Sequence, residues 1–176
     1  VTEDPEAAVN EEKHEHSSSI LWSHSRITIL PHGNYPLLAA LSRACLSAEP
    51  PSTDSWLSVL ELHLSRKERL ATWEAMVFLL RWLWEGDHER AQRFVLQLFE
   101  VQPGLFESKA GIRLLAECQH WISLEAALQL FNSLLARRTE FCSQAAGEIL
   151  MLRLVVKDGA EPEVVRMLQG FLQSES

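Results

Sequence analysis

The chain has 176 residues, 47% of them apolar, with six Trp but only seven Gly and seven Pro. That suffices for one compact domain or a short stack of repeats, and the abundance of Leu, Ala, Glu and Arg favours helix, where unbranched side chains lose little rotamer freedom. The net charge of −8 is uneven: residues 1–16 hold six acids against Lys13, a net of −5, leaving −3 for the other 160 residues. A near-neutral body has no field to draw phosphate backbones, which argues against a nucleic-acid partner. The longest apolar run, Ala75–Trp84, is ten residues broken by Arg81, about half of what a membrane span needs.

In chain order, residues 1–19 (VTEDPEAAVNEEKHEHSSS) carry four small apolar residues and no periodicity, which predicts a disordered acidic tail or linker. Deleting them is expected to move the thermal midpoint by no more than about a degree or two, the scale of a change well below 1 kcal/mol. Calorimetry of the two chains checks this, and a large drop would place the tail on the body. The opening has neither an initiating Met nor a signal-peptide pattern, so the chain is expected to be part of a larger protein. Cys45, Cys118 and Cys142 are widely spaced among apolar residues, which predicts reduced thiols used as small hydrophobes in a cytoplasmic setting.

Residues 20–66 are expected to form an N-terminal helical cap or a divergent repeat, with order beginning near Ile20. Ile27, Ile29 and Leu30 look strand-like, but Pro31-His32-Gly33-Asn34 is turn chemistry and one extended piece makes no sheet. From Tyr35 onward the pattern predicts helices at 36–47, 54–65, 67–85, 88–101, 106–120, 123–137, 140–157 and 161–173. Gly86 and Gly159 can close helices in the left-handed conformation. Asp54, Asp87 and Ser123 can accept from free amides at helix starts, and Pro162 suits a first turn. Pro103-Gly104 ends one helix and Pro50-Pro51 separates two others. Short connections then pack successive helices antiparallel, giving an all-α fold.

Residues 67–176 repeat. At a shift of 36, Ala91 falls on Ala127, Phe94 on Leu130, Val95 on Phe131, Leu98 on Leu134 and Phe99 on Leu135. A further shift of 37 takes Ala127 to Val164, Phe131 to Leu168, Leu134 to Phe171 and Leu135 to Leu172. The preceding helices follow, with Ala110-Gly111, Leu114 and Leu115 falling on Ala146-Gly147, Leu150 and Met151, and Ala75, Leu79 and Leu80 on Ala110, Leu114 and Leu115. A lone helical hairpin cannot bury its apolar face, whereas stacked hairpins share one core and so reuse the same small and large positions.

The unit at residues 72–105 resembles a tetratricopeptide repeat (TPR). Gly86-Asp87-His88-Glu89-Arg90-Ala91, Val95, Leu98-Phe99 and Pro103 resemble that family's second-helix signature. In the first helix the family pattern falls on Ala75, Phe78, Leu79 and Trp82, with Leu79 where the family places a small residue. Later units depart further, with Arg138 at the closing-proline position and Val164 at the alanine. The resemblance implies stacked antiparallel helical hairpins, a short TPR-like α-solenoid, whose concave surface is lined by the first helix of each unit. The partner-binding positions it implies are Trp73, Met76, Leu80 and Trp84, then Lys109, Ile112, Ala116 and His120, each set one stripe at helical spacing. An apolar Trp/Met stripe suits capture of an amphipathic helix or extended peptide. Equally, the helices of 36–65 could cover the first stripe as core.

Other constellations are weak. His14, His16, His24, His32, His63, His88 and His120 are scattered, and none has HExxH or Cys-paired zinc spacing. Pro31–Pro36 reads either as a rigid turn or as a contact loop presenting His32 and Asn34. A Cys45–His32 nucleophile pair lacks an orienting third residue, there is no glycine-rich phosphate loop, and Glu61, Glu68 and Glu74 are spaced as a solvated face. The expectation is a non-catalytic protein–protein interaction module with no cofactor and no metal, an adaptor, chaperone or sensor segment that binds a helix or peptide segment or another part of its own parent chain. Two alternatives stay open: an oligomerisation or spacer domain that meets its own copy, and a non-catalytic lobe of a larger enzyme such as a signalling ATPase.

Overall fold

The computed structural model describes residues 20, 35–47, 52–66, 69–80, 83, 87–157 and 161–174. Among them the chain is all-helical: α1 (Tyr35–Leu46), α2 (Thr53–Ser65), α3 (Leu70–Leu80), α4 (His88–Val101), a 3-10 turn (Pro103–Glu107), α5 (Lys109–Cys118), α6 (Leu124–Leu135), α7 (Glu140–Val156) and α8 (Pro162–Ser174). No helix of the described residues is long and apolar enough to cross a membrane. The strand-like Ile27, Ile29 and Leu30, and the helix-closing Gly86 and Gly159, lie outside the described residues.

Local chemistry starts these helices. The Asp87 side chain accepts from the Arg90 amide at 3.0 Å and Ser123 from Ala126 at 3.2 Å, as the sequence predicts, and α8 opens on Pro162. Asp54 is not a cap: α2 begins at Thr53, and Asp54 lies in its first turn, where a carboxylate favours the positive end of the helix dipole. Two further caps escape the sequence reading. Ser108 accepts from Gly111 at 3.0 Å and Thr139 from Cys142 at 3.1 Å. The predicted helix at 106–120 starts later because the chain first makes the Pro103–Glu107 turn. At the other end of α6, Arg138 takes a positive φ of 54°, the left-handed role a glycine usually fills.

The helices pack in two rows. α1 lies on α3, α3 on α5 and α5 on α7, while α2 lies on α4 and α4 on α6; α1–α2, α6–α7 and α7–α8 also touch as sequence neighbours. The Pro103–Glu107 turn is the hub, touching α3, α4, α5 and α7. Its Leu105 and Phe106 are buried, the Phe106 ring stands 4.7 Å from that of Phe99, and the Phe106 carbonyl accepts from the Cys142 thiol at 3.4 Å. Gly111 permits this closeness, since a Cβ there would come within 2.0 Å of the Leu105 carbonyl oxygen.

Ala91 and Ala127, the small repeat positions, are fully buried on α4 and α6, which pack together. Leu at either is expected to overpack the core and cost about 1–3 kcal/mol. Denaturant midpoints check it, and unchanged values for both variants would undo the repeat alignment.

Candidate functional site on the odd-numbered helices

Trp73, Met76 and Leu80 on α3 are buried, at 0%, 0% and 1% exposure, so the first stripe is core and not an open surface. The reason lies in the packing. α1 and α5 flank α3, the 3-10 turn touches it too, and the Trp73 ring stands 6.1 Å from that of Phe94 on α4. Trp84, the fourth residue of that stripe, and His32 and Asn34 of the predicted contact loop lie outside the described residues.

The second stripe divides. Ile112 and Ala116 are buried within α5, which lies between α3 and α7. Lys109 is half-buried at the start of α5, and His120 is exposed just beyond its end. The His120 carbonyl accepts from the Lys157 ammonium at 3.0 Å. Of the residues implied as partner contacts, only Lys109 and His120 are therefore shown reaching solvent.

At the shift of 36 that relates Ala110 to Ala146, the α5 line leads to Glu148 on α7. Met76, Ile112 and Glu148 succeed one another at intervals of 36 residues. Glu148 is half-buried, and its Oε1 accepts from the backbone amide of Ile20 at 2.9 Å and from Gln144 Nε2 at 2.9 Å. The Ile20 side chain is buried. The outward side of α7 also carries Met151 and Val155, exposed by 51% and 72%. Sequence reasoning missed Glu148, although the shift of 36 that relates Ala110 to Ala146 leads from Ile112 to it.

Polar groups elsewhere stitch helices together. Arg90 on α4 forms a two-pronged pair with Glu61 on α2, at 2.9 and 2.5 Å, and donates to Ser58 Oγ at 2.8 Å. Glu61 is therefore bound across helices and not part of a merely solvated face; its hydrogen bonds raise the Arg90 guanidinium above its ordinary pKa. Arg153 on α7 is buried and binds Glu161 ahead of α8.

Cys118 and Cys142 are buried and Cys45 half-buried, all three free of disulfides. Burial pushes the Cys118 thiol far up, which keeps it protonated. No group of three or more His, Cys, Asp or Glu residues that could hold a metal ion occurs among the described residues. His88 lies against Trp121, their rings 6.3 Å apart.

Comparison of the chain with family models, curated proteins and solved structures finds no match.

Proposed function

We propose that the chain is a non-catalytic protein–protein interaction module, built as a short TPR-like α-solenoid, that holds a partner segment along the face of its odd-numbered helices. The observation that carries this reading is the succession of contacts. Odd helices touch odd helices and even helices touch even ones, α1 to α3 to α5 to α7 and α2 to α4 to α6. A stack of hairpins that meet mainly their neighbours presents long, continuous faces, and the use of such faces is to bind extended or helical segments. Cys118, deeply buried and protonated, is a core filler and not a nucleophile.

The binding line shifts from α3 towards α5 and α7. Lys109 and His120 reach solvent at the two ends of the α5 line, and Glu148 occupies the corresponding line on α7. Peptide-display selection against the full chain tests the reading. Selected peptides are expected to protect the amides of α5 and α7 from hydrogen exchange, and Lys109→Glu is expected to weaken them by about tenfold without moving the thermal midpoint. Footprints confined to α2, α4 and α6 would overturn it.

A further inference from the structure

We propose that the binding face is already occupied by the chain itself: Ile20 sits on α7 as a built-in ligand, and a partner segment must displace it. This rests on the interaction-module reading above. The direct observation is a contact between residues 128 positions apart, in which the Ile20 amide donates to Glu148 Oε1 at 2.9 Å. The aliphatic side chain beside that amide is 8% exposed and joins the hydrophobic core.

Position gives the contact its meaning. At the shift of 36 that relates Ala110 to Ala146, Glu148 on α7 matches Ile112 on α5, and the interaction-module reading extends the binding face to it. The odd row runs α1, α3, α5, α7, which puts Ile20 at the opposite end from α1, the helix that follows it in sequence. Local chain connectivity alone does not bring Ile20 there; a favourable contact must.

The chemistry identifies the ligand class. A carboxylate that accepts from a backbone amide, with an aliphatic side chain buried alongside, recognises a peptide segment carrying a branched aliphatic residue. A ligand carried on the same chain competes at an effective concentration set by its linkage, without any dependence on protein concentration. A free peptide of similar intrinsic affinity therefore binds poorly until the tether is released.

The experiment uses the full chain and a fluorescein-labelled synthetic peptide with the sequence of residues 17–25, SSSILWSHS. Anisotropy titrations compare wild type, Ile20→Asp and Ile20→Asp/Glu148→Ala. The peptide is expected to bind Ile20→Asp at least tenfold more tightly than wild type. Removing the Glu148 acceptor is expected to cost about tenfold of that affinity, the scale of a hydrogen bond to a charged group. Should Ile20→Asp fail to fold by circular dichroism, Ile20→Ala replaces it with a smaller gain of the same sign. Equal binding to wild type and the Ile20 variant, indifference to Glu148→Ala, or no binding to any chain each overturns self-occupancy. The display-selected peptides, titrated on the same chains, separate the two ideas. An α5/α7 footprint that does not depend on Ile20 removes self-occupancy and leaves the module reading, whereas footprints confined to the even row remove both.

Discussion

Trp73→Ala is expected to destabilise the protein by about 3–5 kcal/mol, a large share of the roughly 5–15 kcal/mol that holds an ordinary domain together. Trp73 is fully buried on α3, which packs against α1 and α5, and its ring lies 6.1 Å from Phe94. Truncation removes the indole and leaves a cavity that three packed elements cannot collapse to fill. Trp73→Phe is expected to behave differently. The Trp73 Nε1 has no hydrogen-bond partner among the described residues, so the wild-type protein already carries the cost of a buried, unpaired donor, about 1–3 kcal/mol. Phe removes that donor while keeping most of the ring, so its cavity loss and its gain largely offset, within about 1.5 kcal/mol. Urea denaturation of both variants checks the pair. A Trp73→Ala midpoint equal to wild type would put the stripe back on the surface.

The sequence states which α3 residues share a face, but not what lies against that face. Trp73, Met76 and Leu80 have helical spacing whether they line a groove or a core. The signal that decides is the rest of α3: its sequence, LATWEAMVFLL, is apolar almost all round. A helix without a polar side has no side to turn to water and belongs in the interior. Helix punctuation was more legible because it is local chemistry. Asp87 and Ser123 cap as their types and positions predict, and Ser108-x-x-Gly111 and Thr139-x-x-Cys142 carry the same signal. The Ser108 cap is hidden by the preceding turn, where Leu105 and Phe106 mimic the apolar start of a helix but tuck a 3-10 turn into the core. The Ile20–Glu148 contact, like the Arg90–Glu61 pair, joins residues that only the tertiary fold brings together. Periodicity can assign Glu148 to a line, but not name its occupant.

The second large effect is expected at Arg153, an isolated charge in the apolar run ILMLRLVV. Its side chain is 1% exposed and donates to the Glu161 carboxylate at 2.5 and 2.7 Å, which ties the end of α7 to the residue before α8. Its other acceptors lie at long range: the Gln119 carbonyl at 3.4 Å, Gln119 Oε1 at 3.3 Å and the Ile122 carbonyl at 3.5 Å. Glu161 is therefore the main compensation for a buried cation, and the two partners are not equivalent. Glu161→Ala strands the guanidinium among weak acceptors and is expected to cost about 3–5 kcal/mol, towards the lower figure because the Glu161 side is 22% exposed and admits water. Arg153→Met leaves a carboxylate that can turn to solvent, and its apolar stem fills much of the vacated volume, so about 1–3 kcal/mol is expected. Arg153→Met combined with Glu161→Ala removes both charges and is expected to be more stable than Glu161→Ala alone. Denaturant unfolding of the three variants measures the order. If Arg153→Met proves the most damaging and the double variant no better than Glu161→Ala, then packing of the arginine stem, and not compensation of its charge, holds the α7–α8 corner.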